Sequence, residues 1–505
     1  MKKSILSIIL VCFLFFIATS FVNGKGTQDA HMLSLLSADE SIQYPYLIHM
    51  LQGGDTFFET VKNFVAYQHY FYGYPFYLTS AFTILPVRLI AGADFGDQVQ
   101  LNLWLLRQIV SVLPMLLTII LLVYVQTGFQ STYKTIILTI VLLTIPAVTR
   151  NNLWFWHPDA LALLGIVAAL YFLTKDEGKL EKNFFYAAIC AGLSAGTKVI
   201  GAFLFLSVLV YLYLTYRSKK IDTPTIFKKA AYFLLIFVLV FLLTNPLLLI
   251  PQTRTQILKI QSQQNYYVRE GWTDEDVYQT GLSAWLPYFD EWYANAALLI
   301  FLFVSTIYGM FVGKHTWFNR LLMAWLLPYS IYLLFFVAVK PFHYPLPVMV
   351  PLFSSAINFL PDKSSGNKTT VEKVLAVISA GLIVFIITHN GISSWKVAQE
   401  MYEKEDLLLA CNSAPENEPD GSSITLDANT WYRIEEFNSI GERKTRSFYI
   451  LEGPAQIQAD EQSGAQAWAC RDQESALFSA TRLAESFKQS NPAYTVFAPD
   501  GLEIP

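Results

Sequence analysis

Residues 5–22 read ILSIILVCFLFFIATSFV, a run of eighteen residues without a charge. A run of this length is about long enough to cross the hydrocarbon core of a bilayer as a helix. The basic start at residues 1–3 is also typical of a secretory signal peptide, but no clear small-x-small cleavage site comes before Asn23. We therefore expect an uncleaved first membrane helix with its N-terminus in the cytoplasm.

Ten further apolar runs follow, and together they predict an all-α polytopic membrane domain of about eleven transmembrane helices. Hydrophobic residues make up 54% of the chain and charged residues only 15%, whereas soluble domains carry roughly 25% charged residues. Several runs are short and need tilt or local thinning of the bilayer to span it. The further runs are 103–125, 134–149, 158–174, 184–197, 200–216, 230–250, 294–313, 321–338, 345–360 and 374–390.

The basic residues of the loops support this threading. With a cytoplasmic N-terminus, the loops rich in Lys and Arg fall in the cytoplasm and the short outer loops hold almost none, in agreement with the positive-inside rule. We predict a multi-pass protein of the plasma membrane, in a bacterium the inner membrane. The basic residues on the cytoplasmic side are Lys175, Lys179, Lys182, Arg217, Lys219, Lys220, Lys228, Lys229, Lys314, Arg320, Lys363, Lys368 and Lys373.

Two long outer loops, 23–102 and 251–293, interrupt the series of spans. Within the first, the segment 74–90 is apolar enough to be a twelfth span. A twelfth span would place the later basic loops outside the cytoplasm. We therefore expect this segment to lie in the outer membrane–water interface, where aromatic residues are enriched. The second loop has amides beside tyrosines at 264–267, which suits sugar rings and equally suits an interfacial aromatic belt.

The composition changes after Asn390. The membrane domain is therefore predicted to comprise residues 1–390, and residues 391–505 are predicted to form a small extracytoplasmic α+β domain. Helical patterning near 471–488 and β-like runs at 447–451 and 494–498 support this assignment.

Two cysteines, Cys411 and Cys470, lie in this polar tail. Outside the cytoplasm they are able to form one disulfide. Two unrelated thiols fit their spacing equally well.

Asp39 and Glu40 form an acidic pair that follows the first apolar run on the outer side. A carboxylate in this place is a candidate general base toward a sugar hydroxyl or an amine. The alternative is an ordinary solvated pair of loop acids, which the spacing alone favours.

Further ionisable residues fall at the ends of spans on that same side. Charged groups near hydrocarbon are costly and usually functional. Pro158 suits the first position of a helix and Asp159 its first turn, where a negative charge favours the helix dipole. Capping, snorkelling of a lysine and simple packing of a histidine are the structural alternatives. The candidate substrate-binding residues are Arg107, His157, Asp159, Lys198, Lys340, His343 and Tyr344.

Several classes of function are excluded or left without support. No P-loop, no zinc-binding Cys/His spacing and no nucleophile elbow occurs in the sequence. No basic face for nucleic acid is visible, and no residues point to a nucleotide-sugar site on the cytoplasmic side. Nothing visible requires a catalytic metal or another cofactor.

In their order and sidedness, six elements resemble the GT-C glycosyltransferases, which include the protein O-mannosyltransferases and the bacterial aminoarabinose transferase of lipid A. The resemblance covers roughly residues 1–360. Two departures are His343, where the family often has Arg, and the single Pro75, where the family has a double proline. The six elements are Asp39-Glu40, Tyr74-Pro75-Phe76-Tyr77 through Gly92, Arg107-Gln108-Ile109, His157-Pro158-Asp159, Gly192-Leu193 with Thr197-Lys198, and His343-Tyr344-Pro345-Leu346-Pro347.

The resemblance implies a membrane glycosyltransferase that takes a sugar from a polyprenyl-phosphate donor at the outer leaflet. It implies that Asp39 deprotonates the acceptor with support from Glu40, and that attack inverts the anomeric carbon. Lys198, Arg107 and His343 would then neutralise the departing lipid phosphate. The expected partners are the lipid-linked donor, a protein, lipid or glycan acceptor and the bilayer, with no nucleic acid.

Other functions remain open at this stage. A flippase or transporter of lipid-linked sugars would also have many spans, but it would need polar residues at mid-membrane and often shows inverted repeats. A polysaccharide polymerase or ligase would also place Arg and His in outer loops. A scaffold that only displays the tail is the remaining alternative.

Overall fold

The structure is a computed structural model, and it describes most of the first 412 residues and four short segments beyond them. Side chains are described as far as Tyr402. The described residues are 2–25, 27, 33, 37–271, 279–312, 315–360, 370–412, 430–437, 443–450, 494–497 and 503–504.

The chain forms two compact units. The first comprises Met1–Asn23, Gln43–Asp97 and Leu101–Ala398. The second comprises Gly24–Ile42, Gln98–Gln100 and Gln399–Pro505.

The first unit is helical throughout its described regular structure. The eighteen α-helices of the described chain are α1 (Lys2–Asn23), α2 (Ala38–Leu51), α3 (Phe57–Val65), α4 (Tyr74–Ala91), α5 (Val99–Leu106), α6 (Leu113–Thr127), α7 (Thr132–Leu143), α8 (Pro146–Asn152), α9 (Asp159–Asp176), α10 (Lys182–Thr197), α11 (Phe205–Ser218), α12 (Thr223–Leu243), α13 (Pro251–Glu270), α14 (Leu282–Trp292), α15 (Ala296–Phe311), α16 (Thr316–Phe336), α17 (Leu346–Phe353) and α18 (Thr370–Asn412).

Shorter helical turns connect several of these helices. A π-helical segment, Arg107–Val112, joins α5 to α6 within one continuous helix. The 3₁₀ turns are Gly92–Asp97, Val199–Leu204, Pro246–Leu249 and Ser354–Ile357.

All eleven apolar runs of the sequence are helical, and the predicted all-α polytopic fold is confirmed. Within the described residues, seven helices are long and apolar enough to cross a membrane, or up to nine if each of two bent pairs is one span. Three predicted spans, 158–174, 184–197 and 345–360, belong neither to these seven helices nor to the two bent pairs. The helix α9 carries three charged residues, Asp159, Lys175 and Asp176, whereas α10 has only 16 residues and α17 only 8.

The two predicted outer loops contain more helix than the sequence indicated. Residues 251–293 hold α13 and α14, and Trp285 of α14 is fully buried against Phe289. The segment predicted to lie in the interface is α4, which by length and composition is among the candidate spans.

Small residues let the central helices approach closely. A Cβ added at Gly165 of α9 would lie 2.7 Å from the Cβ of Ser194 in α10, and one added at Gly192 would lie 2.9 Å from the carbonyl oxygen of Phe237 in α12. The Ser194 hydroxyl donates to the carbonyl oxygen of Ala162 at 2.8 Å. This contact is of the small-residue kind that joins membrane helices, and it brings the start of α9 beside the end of α10.

The second unit contains four short strands: β1 (Thr430–Phe437), β2 (Arg443–Ile450), β3 (Tyr494–Phe497) and β4 (Glu503–Ile504). They form one antiparallel sheet in the order β2-β1-β3-β4. The β-like run 447–451 therefore overlaps β2, and the run 494–498 overlaps β3. The helical pattern at 471–488 and the Cys411–Cys470 pairing lie outside the described residues and side chains.

Asp176 closes the loop between α9 and α10. Its carboxylate accepts hydrogen bonds from the backbone N–H of Leu180 at 2.6 Å and of Glu181 at 3.1 Å, and from the hydroxyl of Tyr211 in α11. Asp176 is buried, so these donors lack water as an alternative partner.

We predict that Asp176→Ala lowers the free energy of unfolding by roughly 3 kcal/mol, because three donors lose their acceptor. Chemical denaturation of the purified protein in detergent measures the change. Glu177→Ala is the matched control, because this neighbouring side chain is 67% exposed. Equal effects of the two variants would show that the Asp176 contacts do not stabilise the loop.

Candidate active site

A chain of hydrogen bonds joins four side chains of the first unit. The Lys198 Nζ donates to Asp159 Oδ1 at 2.7 Å, and the other oxygen of Asp159 is bonded to His157 Nδ1. The Tyr72 hydroxyl lies 2.6 Å from His157 Nε2. A carboxylate only accepts hydrogen bonds, so His157 Nδ1 carries a proton and donates it to Asp159.

Local sequence explains the positions of Asp159 and His157. Pro158 caps α9, so Asp159 falls in the first turn, as the sequence predicted. The His157 backbone N–H donates to the Ser111 hydroxyl at 3.3 Å, and that hydroxyl donates to the carbonyl oxygen of Phe155 at 2.7 Å. Ser111 of the π-helical segment therefore holds the irregular segment that leads into α9.

Lys198 comes from the end of α10. Its backbone is extended, with φ −149° and ψ 131°, and it caps that helix. The side chain is 14% exposed, whereas Asp159 is 1% exposed. A buried carboxylate needs a partner, and the close packing of α9 on α10 provides Lys198.

His343 and Tyr344, from the turn before α17, lie beside this chain of contacts. The His343 ring centroid is 4.7 Å from that of His157, and the Lys198 Nζ lies 5.3 Å from the centroid of Tyr344. Among the described side chains, His343 Nδ1 has no hydrogen-bond partner, and burial lowers the pKa of His343 well below its usual value.

His157, Asp159 and His343 have the donor types of a divalent metal site. Their ligand atoms all lie within 4.8 Å of one another. Imidazole and carboxylate groups suit zinc and related ions. Both oxygens of Asp159 are already engaged by His157 and Lys198, however, and the expectation that no metal is needed stays a prediction.

A pocket of about 470 Å³ opens beside Lys198. Lys198 and Tyr72, the two ends of the hydrogen-bonded chain, both line this pocket, together with Tyr344. The remaining wall is mainly apolar and aromatic, with a few amides. These residues include Phe241, Leu248, Ile257, Leu258, Tyr329, Tyr332, Asn245, Gln261, Gln264 and Asn265.

A close backbone contact positions Tyr72 in that pocket. The backbone N–H of Gly73 donates to the Thr197 carbonyl oxygen at 3.0 Å, and a Cβ on Gly73 would lie 1.6 Å from the Gly196 oxygen. Asn245 joins the same junction, because its amide donates to the Gly196 oxygen and accepts from the N–H of Tyr74, both at 3.1 Å.

The ring of Tyr72 packs in an aromatic cluster that includes His69. The His69 ring centroid is 5.8 Å from that of Tyr72, and His69 Nδ1 is bonded to the Tyr77 hydroxyl at 2.5 Å. Burial and the nearby His157 lower the pKa of His69 to about 4, so this histidine is neutral at physiological pH.

The two other predicted cations are Lys340 and Arg107. Lys340 donates to the carbonyl oxygens of Gln279, at 2.6 Å, and Ala338, with its Nζ 4.9 Å from the Trp285 ring centroid. Burial lowers the pKa of Lys340 to about 8. Arg107 is fully buried in the π-helical segment.

The predicted catalytic pair, Asp39 and Glu40, belongs to the second unit. Both residues lie in the first turn of α2. Glu40 is fully buried and Asp39 is partly exposed.

Sequence reasoning missed Tyr72 and the amides of the pocket. Tyr72 lies among the tyrosines of residues 67–77, a composition that an interfacial loop shares. Gln264 and Asn265 belong to the pattern of amides and tyrosines at 264–267, which also suits an interfacial aromatic belt. Asn245 lies within the predicted apolar run 230–250 and had no distinguishing signal.

Solved structures similar to this chain include ArnT from Cupriavidus metallidurans bound to undecaprenyl phosphate. It is 12% identical, with a TM-score of 0.46 over 84% of this chain and 83% of that chain. The oligosaccharyltransferase of Archaeoglobus fulgidus in the apo form is 12% identical, with a TM-score of 0.47 over 80% of this chain and 58% of that chain. These structural neighbours are GT-C membrane glycosyltransferases, the group that the sequence motifs resemble.

A third similar structure is the oligosaccharyltransferase AglB from Archaeoglobus fulgidus in complex with an inhibitory peptide and a dolichol-phosphate. It is 12% identical, with a TM-score of 0.43 over 68% of this chain and 50% of that chain. The chain thus spans only about half the length of these archaeal proteins. The sequence matches no protein-family model and no curated protein.

We predict that Gly73→Ala lowers the free energy of unfolding by about 3 kcal/mol, because its Cβ would overlap the backbone of Gly196 and push the Tyr72 loop away from α10. Gly53→Ala is the control, since a Cβ there meets no atom within 4 Å. Thermal and chemical unfolding in detergent compare the two variants. A Gly73→Ala protein as stable as Gly53→Ala would contradict this junction.

Proposed function

We propose that this protein is an integral-membrane glycosyltransferase that moves a sugar from a polyprenyl-phosphate donor to an acceptor on the extracytoplasmic face. The acceptor is a protein, lipid or glycan. The observation that carries the proposal is Lys198, a cation in the wall of a largely apolar pocket. A polyprenyl phosphate combines the two matching properties, an anionic head and an apolar chain.

The state of Lys198 before substrate binds also supports the proposal. Its charge is balanced by Asp159, which His157 holds from the other side. An incoming phosphate offers Lys198 a second anion, while His157 continues to satisfy Asp159. The pocket thus carries a positive group that is held in place and remains 14% exposed.

The proposed reaction is a direct displacement. Asp39 accepts the proton of the acceptor hydroxyl or amine with support from Glu40, and the acceptor atom attacks the anomeric carbon of the sugar. The bond from that carbon to the phosphate oxygen breaks, its electron pair stays on the phosphate, and the configuration inverts. Lys198, helped by Arg107 and His343, stabilises the negative charge on the released lipid phosphate.

The proposed topology places this chemistry outside the cytoplasm of a bacterium. The N-terminus is cytoplasmic, the pocket opens toward the outer leaflet, and the domain after residue 390 is extracytoplasmic. The distribution of Lys and Arg among the loops supports this orientation.

A transfer assay in membranes tests the proposal. Radiolabelled polyprenyl-phosphate sugars and nucleotide sugars are supplied in parallel, and label is followed into protein, lipid and glycan. Transfer from the lipid donor alone is the expected result. A folded protein that transfers nothing from a broad donor panel would refute the proposal, and accumulation of lipid-linked sugar across the membrane would instead identify a flippase.

We predict that Asp39→Asn lowers kcat at least 100-fold, because the acceptor loses its general base. The variant should insert and fold normally, which is checked by its yield and thermal unfolding. Asp94→Asn, which changes an exposed acid of the 3₁₀ turn after α4, is the matched control. Normal turnover by the Asp39 variant would remove Asp39 from the mechanism.

We predict that Lys198→Ala lowers kcat/KM for the lipid donor about 100-fold, since the departing phosphate loses its cation. Because this change also leaves Asp159 unpaired, Lys198→Arg is measured beside it and should restore stability and part of the activity. Lys62→Ala, at an exposed position of α3, serves as the surface control. Unchanged donor kinetics in a folded Lys198→Ala protein would contradict the phosphate role.

A further inference from the structure

We propose that Gln108, Asn151 and Asn152 form a subsite that binds the hydroxyl groups of the transferred sugar. This inference rests on the proposed function and deepens it, because it assigns residues to the sugar itself. The three residues belong to the π-helical segment and the end of α8, two elements that pack against each other.

The three amides are buried without the hydrogen bonds that buried amides need. Gln108 is 2% exposed, and Asn151 and Asn152 are each 1% exposed. Within the described part of the chain, neither the oxygen nor the nitrogen of any of these three side chains has a hydrogen-bond partner. Buried polar groups are satisfied in the large majority of cases, so six such atoms in two adjacent elements indicate a polar ligand.

The backbone that carries the amides is held in place. Asn23 at the end of α1 donates from its amide to the Asn152 carbonyl oxygen at 2.7 Å and accepts from the Trp154 N–H at 2.8 Å. Loose packing therefore does not explain why these three amides lack hydrogen-bond partners among the described residues. A π-helical segment within an α-helix is frequent at functional sites.

The same elements lead to His157, a member of the hydrogen-bonded chain. Ser111, three residues after Gln108, bonds both to the backbone N–H of His157 and to the carbonyl oxygen of Phe155. Asn151 and Asn152 precede Phe155 by four and three residues. The three amides thus lie on the segment that carries Ser111 and on the helix that precedes His157 in the chain.

The chemistry of these groups favours a sugar over an anion. Each amide offers one acceptor and two donors and carries no charge, which matches hydroxyl groups that both donate and accept. A phosphate would use only the donors and leave the buried amide oxygens without partners. Ordered water shares the hydroxyl chemistry, and the experiment separates water from sugar.

The experiment compares Gln108→Leu with Gln126→Leu in the purified full-length protein. Gln126 lies further along the same continuous helix, but its amide already donates to Asn319 Oδ1 and Ser354 Oγ, both at 3.3 Å. For each variant, the KM for a sugar-bearing polyprenyl phosphate, the Kd for the sugar-free polyprenyl phosphate and the thermal unfolding midpoint are measured. Asn151→Leu is measured in the same way.

We expect Gln108→Leu to raise the KM for the sugar-bearing donor about tenfold, through the loss of one or two hydrogen bonds, and to leave the Kd of the sugar-free lipid unchanged. Its unfolding midpoint should not fall, because the amide makes no hydrogen bond to the described residues of the protein. Gln126→Leu should lower the midpoint without this selective change in KM.

Equal changes for both lipids, or an unchanged KM, would overturn the sugar subsite and leave ordered water as the occupant. A lower unfolding midpoint for Gln108→Leu would assign it a structural role and overturn the subsite as well. If the wild-type protein transfers sugar while these variants behave like it, the subsite fails and the proposed function stands. If the wild type neither binds nor uses the lipid donor, both fail.

Discussion

The burial of the Asp159 carboxylate is the constraint on which the site depends. A charge with 1% exposure must be paired, and each of its two oxygens has a different partner, His157 on one side and Lys198 on the other. Lys198 reaches it only because α9 and α10 pack through small residues. His157 is in turn bonded to Tyr72, whose loop lies against Gly196. One buried charge thus fixes elements that are far apart in the sequence.

This arrangement explains how the Lys198 side chain is held in the wall of a largely apolar pocket. An isolated lysine in such a wall would favour its neutral form or turn toward water, because burial disfavours the charged form. The bond to Asp159 holds the Lys198 side chain in the wall, and in the proposed mechanism His157 remains bonded to Asp159 when Lys198 turns to another anion. The proposed reaction uses the exchange of one anion for another at Lys198, and the buried amides of Gln108, Asn151 and Asn152 are proposed to hold the neutral part of the same substrate.

The polytopic fold and part of the site were predictable from local sequence. Apolar runs are a direct signal for helices, and Asp159 after Pro158 is a local signal for a helix start. Tyr72 and Asn245 were not predictable, because their roles come from contacts with residues more than 40 positions away. The helices within 251–293 were missed because their polar and aromatic composition also suits a loop. Open amides such as Gln108 become visible only when burial and hydrogen bonds are known.

The most direct test of the central claim is a cryo-EM structure of the full-length protein in lipid nanodiscs with sugar-free polyprenyl phosphate. The account predicts a phosphate within hydrogen-bond distance of Lys198 Nζ and an apolar chain in the pocket lined by Phe241 and Leu258. It also predicts that His157 remains bonded to Asp159. A phosphate bound elsewhere, with Lys198 still on Asp159 and the pocket free of the polyprenyl chain, would contradict the account.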